Sequence, residues 1–155
     1  MAATTTPTSS SSSRFTPVTA TAGLSALGVL YGGILHFQIW KSDYKDIPDG
    51  AVPGLWVVKK GFPINAAVSV VLAIALLLFA VGVIVRLGKL AVLGAAAVEL
   101  GSIIALVLSR KASIFGWKET GWDGDAKKVL VTEIVSVVLL VATLFLDYHR
   151  NAPAE

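Results

Sequence analysis

Two glutamates interrupt long apolar stretches of this 155-residue chain. Glu99 lies near the middle of the third stretch, and Glu133 lies about one helical turn into the fourth. A charged carboxylate at the centre of a bilayer costs about 2.5–3.5 kcal/mol on insertion scales, so an acid at that depth is expected to face protein or water. Glu99 is therefore interpreted either as a hydrogen-bonded residue that fixes helix packing or as an acid that binds a proton or a ligand.

Other polar side chains lie in the apolar stretches, close to the same two long loops. They are His36 and Gln38 in the first stretch and Asn65 in the second. The sequence predicts a polar vestibule that opens towards these loops and is formed by His36, Gln38, Asn65, Glu99 and Glu133. A local interpretation stays open: Glu133 would be an interfacial acid favoured by the helix dipole, and His36 a neutral hydrogen-bond donor between helices.

No catalytic motif accompanies these polar side chains. The chain has no cysteine, which rules out disulfides, thiolate metal ligands and a cysteine nucleophile within it. It also has no phosphate-binding loop and no nucleophile elbow. His36, Glu99 and Glu133 could in principle hold a divalent cation, but we expect no metal, no cofactor and no enzymatic activity.

Four apolar stretches position the polar side chains and predict an integral membrane protein. Each comes near the roughly 20 residues that a helix needs to cross the hydrocarbon core, and hydrophobic residues make up 55% of the chain. The predicted fold is an all-α, antiparallel four-helix bundle in the membrane. The stretches run over residues 24–40, 64–85, 90–108 and 129–146.

The composition divides the chain into three parts. Residues 1–20 are rich in Ser, Thr and Pro and have too few apolar side chains to fold, so they are predicted to be a disordered tail. A signal peptide is the less favoured interpretation of this end. Residues 21–148 are the four-helix transmembrane domain, and residues 149–155 are a short polar tail.

Small residues indicate where the helices pack closely. Gly28 and Gly32 are four residues apart on the first helix, and Gly94 and Gly101 belong to a small-residue stripe on the third. Such spacing lets helix backbones approach closely. It supports packing within one chain and homodimerisation equally.

The tryptophans all fall on the side of the long loops. One interpretation is an aromatic belt at a membrane interface. The other is that the two long loops fold together into an aromatic cap over the bundle. The residues of this cap are Trp40, Trp56, Trp117 and Trp122, joined by Tyr44 and Phe115.

The chain resembles a group of functionally uncharacterised four-span membrane proteins of actinobacteria, loosely similar to the DoxX-like family. The resemblance rests on the run LHFQIW at residues 35–40 and the run YKDIP at residues 44–48. It continues through LSR at residues 108–110, Phe115-Gly116 and Glu119 to Trp122, and then to the acid Glu133. It covers roughly residues 20–148 and implies a four-helix membrane architecture, with little chemistry.

Most Lys and Arg residues lie in the two long loops, and a literal count would place those loops in the cytoplasm. The resemblance instead implies cytoplasmic termini in the cell membrane, which is the expectation here. Basic residues that flank membrane spans are typical of contacts with lipid headgroups, so the lipid bilayer is the expected partner and nucleic acid is not.

The leading functional prediction is a small non-enzymatic accessory subunit, with a membrane-protein partner or a second copy of the chain. The main alternative is a carrier element coupled to a proton or a small molecule through its intramembrane acids. A quinone-linked oxidoreductase component and a phage-type exclusion protein are less favoured.

Overall fold

The computed structural model describes residues 16–150, which form four long α-helices and no strand. All four are long and apolar enough to cross a membrane. The predictions of an all-α fold and of four long apolar helices are therefore confirmed. The helices are α1 Pro17–Ile39, α2 Leu55–Ala80, α3 Val85–Lys111 and α4 Gly124–Arg150.

The first helix begins earlier than the sequence predicts. The Thr16 side chain accepts a hydrogen bond of 3.2 Å from the Thr19 backbone N–H, and Pro17 takes the first helical position. Both are favourable helix starts. The predicted disordered segment 1–20 is thus corrected, because residues 17–20 are helical, and residues 1–15 lie outside the described part. At the other end α4 continues to Arg150, which shortens the predicted polar tail to residues 151–155, also not described.

A short π-helical segment, Trp40–Tyr44, continues α1 into the first long loop. Its hydrogen bond runs from the Lys45 N–H to the Trp40 carbonyl, at 2.8 Å and five residues apart. Such segments hold one more residue per turn than an α-helix. The segment adds one residue between the end of α1 and the first long loop.

An apolar core joins all four helices at the end that carries the α2–α3 turn. α1 packs against α2 and α4, and α3 packs against the same two helices. The beginning of α1 and the end of α2 meet in this core. Its buried members are Val18, Ala22, Ala26, Val29, Leu76, Phe79, Ala91, Val92, Ala95 and Leu140.

Small residues on α1 allow its two neighbours to approach. A Cβ built on Gly28 would lie 2.5 Å from Ser136 Oγ of α4, and one built on Gly33 would lie 2.7 Å from Ser69 Cβ of α2. Gly33 was not singled out from the sequence, yet it packs as closely as Gly28. Gly32 has more room, since its Cβ would lie 3.8 Å from its nearest neighbours.

The predicted small-residue stripe on α3 is only partly a packing face. A Cβ on Gly94 would lie 3.4 Å from Leu72 of α2, in ordinary contact. Gly101 has nothing within 4 Å and is exposed, which corrects its assignment to helix packing. The closest packing of α3 is at Gly88, against the ring of Phe79.

Candidate functional site

A cavity of about 350 Å³ lies at the end of the bundle that carries the two long loops, and we refer to it as the loop-end cavity. All four helices contribute to its wall. Its interior polar side chains are His36 of α1, Asn65 of α2 and Ser102 of α3, and its mouth is formed by loop residues that include Trp117 and Glu119.

His36 is held in one orientation at the inner end of this cavity. Its Nδ1 lies 2.9 Å from the Gly32 carbonyl oxygen, which can only accept, so Nδ1 carries a proton. In the neutral ring Nε2 then accepts, and Ser102 Oγ lies 3.1 Å from it. The Phe62 ring packs edge-on at a centroid distance of 5.2 Å. His36 therefore presents Nε2 towards α3 and α4.

Glu133 completes this polar group from α4. Its Oε1 lies 3.6 Å from His36 Nε2, and the Ser102 hydroxyl also hydrogen-bonds with its carboxyl group. A hydroxyl has a single proton, so Ser102 can donate to the ring or to the carboxylate but not to both. The arrangement of His36, Ser102 and Glu133 can thus hold a proton at either of two neighbouring acceptors.

Glu99 lies beside this group, on the face of α3 turned to α1. Glu99 is 3% exposed and Glu133 is 1% exposed, and the two carboxyl groups would repel one another if both were charged. The Oε2 atom of each has no hydrogen-bond partner within residues 16–150. Gly32 leaves the space, because a Cβ there would lie 3.8 Å from Glu99 Oε1. Two carboxylates buried close together, each with one unpartnered oxygen, are costly to keep charged.

The structure therefore brings together three of the five predicted vestibule residues: His36, Glu99 and Glu133. Asn65 also lines the cavity, where its Oδ1 accepts a hydrogen bond of 3.2 Å from Ser69. Gln38 is corrected: it is exposed, because two residues along an α-helix turn a side chain by about 200° from His36.

The two long loops fold onto each other above the cavity. The Tyr44 hydroxyl donates to the Glu119 carboxylate, and its ring packs edge-on against Trp117 and Phe62 at 5.6 and 5.5 Å. Gly54, with φ of 72°, brings the first loop against the backbone at Trp117. The Trp117 side chain is buried as a result, together with Leu55 and Val58.

The other tryptophans do not join this cluster, which corrects the predicted four-tryptophan cap. Trp56 is exposed and pairs with Phe115 at 5.6 Å. Trp40 packs on Phe37 within its own helix at 5.5 Å. Trp122 is exposed and lies under the Arg110 guanidinium. An aromatic cap exists, but its centre is Tyr44, Phe62 and Trp117.

Sequence reasoning missed two parts of this arrangement. Ser102 is three residues after Glu99, which places both on one side of α3, so the spacing could have identified it. Asp147 was also missed: it is buried at the opposite end of α4, 2.6 Å from Arg150 and 3.6 Å from Lys89. Its position one turn before the helix end gave no such signal.

Among residues 16–150 no three His, Asp or Glu side chains come together in a way that could hold a metal ion. No protein-family model, curated protein or solved structure matches the chain. The resemblance to DoxX-like proteins of actinobacteria accordingly stays a prediction.

Proposed function

We propose that this protein spans the cell membrane four times, as an antiparallel bundle with cytoplasmic termini. Support comes from the core, where the beginning of α1 meets the end of α2 and the beginning of α3. The outward faces of the helices are apolar, as lipid-facing surfaces are. Examples from the four helices are Leu27, Val71, Leu90 and Val138, which are 61–66% exposed.

Single cysteines test this topology, because the chain has none of its own. Ala51→Cys and Ala112→Cys lie in the two long loops, and Val83→Cys lies in the turn between α2 and α3. In intact cells, a membrane-impermeant thiol reagent should label either both loop variants and not Val83→Cys, or Val83→Cys and neither loop variant. With cytoplasmic termini the loop variants are the ones labelled. Equal labelling of Val83→Cys and Ala51→Cys would refute the antiparallel arrangement.

Within this bundle, we propose that the loop-end cavity binds a small molecule through His36 and Ser102 in its wall, with Glu133 directly behind them. The observation that carries the proposal is a cavity whose inner wall presents the His36 ring, itself in contact with the buried carboxylate of Glu133. This favours the small-molecule-coupled alternative over a purely structural subunit. The expectations of an accessory role, of a membrane partner or homodimer and of no enzymatic activity stay predictions.

The geometry also indicates what each residue does in binding. The Ser102 hydroxyl can rotate from His36 Nε2 to Glu133, and a bound donor group can take the place that the hydroxyl leaves. Glu99 has an unpartnered oxygen beside them and is a second acceptor for a proton. Ligand binding at His36 Nε2 would therefore turn the Ser102 proton towards Glu133.

Access to the cavity is tested by reactivity with N-ethylmaleimide, a small neutral thiol reagent. Ser102→Cys places the thiol in the cavity wall, and Ser136→Cys is the matched control, since Ser136 is fully buried between α1 and α4 and lies away from the cavity. We expect Ser102→Cys to react in purified protein in lipid nanodiscs and Ser136→Cys to stay unmodified. An unreactive Ser102→Cys in folded protein would mean that small molecules do not reach the site.

A further inference from the structure

We propose that the ligand of the loop-end cavity is an apolar organic cation, with its charge directed to the acids and its apolar part lying between α2 and α3. This inference rests on the proposed small-molecule function of the cavity and deepens it. It follows from the charge of the mouth, the buried acids, the aromatic wall and the place where two helices separate.

The mouth of the cavity is acidic. Arg110 is the one basic residue that lines it besides His36, against the acids Asp43, Glu119, Asp123 and Asp125. One of these acids is neutralised from outside, since Lys128 lies 2.8 Å from Asp125. A cleft lined by one sign of charge concentrates ligands of the opposite sign.

Arg110 offsets one of these negative charges from a fixed position. Its Nε donates to the Gly121 carbonyl at 2.9 Å and one terminal nitrogen donates to the Leu106 carbonyl at 2.9 Å. Its guanidinium also stacks over Trp122, 4.9 Å from the ring centroid. These contacts hold Arg110 to the loop and to the end of α3, and its single positive charge leaves the mouth with an excess of acids.

Two buried acids lie behind the inner end of the cavity. Glu133 and Glu99 are buried behind His36 and Ser102, and each keeps an oxygen without a hydrogen-bond partner in the described part of the chain. A buried carboxylate that lacks partners is costly to keep charged, and a positive ligand group nearby lowers that cost. A cation bound here therefore gains an electrostatic attraction to the buried acids that a neutral or negative molecule does not.

The wall between mouth and inner end is aromatic. Phe62 contacts both Tyr44 and His36 edge-on, and Tyr44 contacts Trp117 in the same way. All four line the cavity. Aromatic faces attract organic cations, most strongly where water is excluded. The wall therefore favours a positively charged group with an apolar surface over a hydrated metal ion.

The cavity extends into a gap between α2 and α3. These helices pack closely near their connecting turn, where Gly88 lies against Phe79, whereas the cavity lies between their other ends. Small exposed residues line it there, namely Gly61 of α2 and Gly101 and Ala105 of α3. In a membrane this gap faces lipid, so an apolar part of the ligand can occupy it without meeting water.

The test compares three water-soluble probes that share one ring and differ in charge. Benzyltrimethylammonium, benzyl alcohol and benzenesulfonate are each assayed for protecting the Ser102→Cys variant from N-ethylmaleimide in nanodiscs. We expect the cation to protect at a concentration about tenfold lower than benzyl alcohol, in line with the strength of desolvated cation–π contacts. Benzenesulfonate should not protect.

Four variants in the Ser102→Cys background tie the preference to this site. Glu133→Gln should remove most of the advantage of the cation, whereas Asp46→Asn, which removes an exposed loop acid, should leave it unchanged. Should Glu133→Gln not fold, Gly101→Leu narrows the gap and should weaken protection about tenfold. Gly23→Leu is its control, because Gly23 also has nothing within 4 Å of its Cβ position and lies away from the cavity.

The outcomes separate the two proposals. Equal protection by the cation and by benzyl alcohol, or protection by benzenesulfonate, overturns the cationic ligand but leaves a small-molecule site. Protection by the cation that neither Glu133→Gln nor Gly101→Leu weakens overturns the assignment of the ligand to this cavity. No protection by any probe, either of a reactive Ser102→Cys or of a reactive Ala105→Cys that lines the cavity and keeps Ser102, overturns the proposed function and the ligand class with it.

Discussion

Replacing Gly33 with alanine should push α1 and α2 apart, whereas the same change at the neighbouring Gly32 should not. The new Cβ at Gly33 would lie 2.7 Å from Ser69 Cβ and 3.3 Å from the Ala66 carbonyl oxygen. Carbon atoms pack best at about 3.5–4.0 Å, so a shift of roughly 1 Å is needed. A carbonyl of the α2 backbone cannot rotate away, so the helices themselves must move.

The size of the effect follows from two opposing contributions. Inserting a methyl group into a tightly packed contact costs about 1–3 kcal/mol. Glycine to alanine in a helix gains about 1 kcal/mol through backbone entropy. Gly32→Ala has the gain without the clash, since its Cβ would lie 3.8 Å from Glu99 Oε1 and from Thr132 Cγ2. The two variants should therefore differ by about 1–3 kcal/mol in free energy of unfolding.

Equilibrium unfolding in mixed micelles, with rising sodium dodecyl sulfate and tryptophan fluorescence as the signal, measures this difference. Gly32→Ala should be as stable as wild type or slightly more so, and Gly33→Ala clearly less. Adding Ser69→Gly to Gly33→Ala should recover part of the loss, with a coupling of about 1 kcal/mol. If Gly33→Ala and Gly32→Ala unfold at the same detergent fraction, the close α1–α2 contact described here is refuted.

Other variants test the loops and the buried acid. Tyr44→Phe should lower the free energy of unfolding by about 1.5–3 kcal/mol, because it removes a hydrogen bond to the Glu119 carboxylate; unchanged stability would mean that the loops are not joined there. The Lys59 ammonium, 2.7 Å from Asp49, lowers the pKa of that carboxyl group. Lys59→Met should raise it towards its ordinary value in an NMR titration. In wild type, this ion pair stabilises the fold at pH values above the ordinary pKa of an aspartate, and the stabilisation is lost as the pH falls through the lowered pKa of Asp49. An Asp49 pKa that Lys59→Met leaves unchanged would contradict the pairing. Glu99→Leu should keep or raise the melting temperature, since it removes an unpartnered buried oxygen that costs about 1–3 kcal/mol, and a lower melting temperature would assign Glu99 a structural role.

The four helices were predictable because the length of each apolar stretch is enough to identify a membrane-spanning helix. The depth of a polar residue within its stretch was nearly as informative about the site. Glu99 and Glu133 lie in apolar stretches that only a protein interior or water can accommodate, and His36 lies at a similar level of α1. The side of the helix on which each polar residue lies was harder to predict. Gln38 was assigned by depth and turned out to be exposed, since depth does not determine which side of a helix faces its neighbours.

What the sequence could not supply is contact between segments far apart in the chain. Gly101 belongs to a stripe of small residues, but a stripe does not show whether another helix covers it, and here a cavity lies beside it. Trp117 differs from Trp56 only through the fold of the loops, in which Gly54 approaches the second loop closely. No local pattern encodes that approach.

The π-helical segment Trp40–Tyr44 has a consequence for how related chains will compare. A π turn holds one residue more than the α-helical turn it replaces, so α1 before it is unchanged. A chain lacking one residue here, for instance at the exposed Lys41, can form a plain α-helix and still direct its aromatic side chain at Phe62 and Trp117. Homologues are therefore expected to show a one-residue gap within 40–44 without losing the cavity wall. An alignment made without gaps would pair Tyr44 with the wrong residue in such homologues. An insertion of two residues in this segment would turn the aromatic side chain away from Phe62 and Trp117.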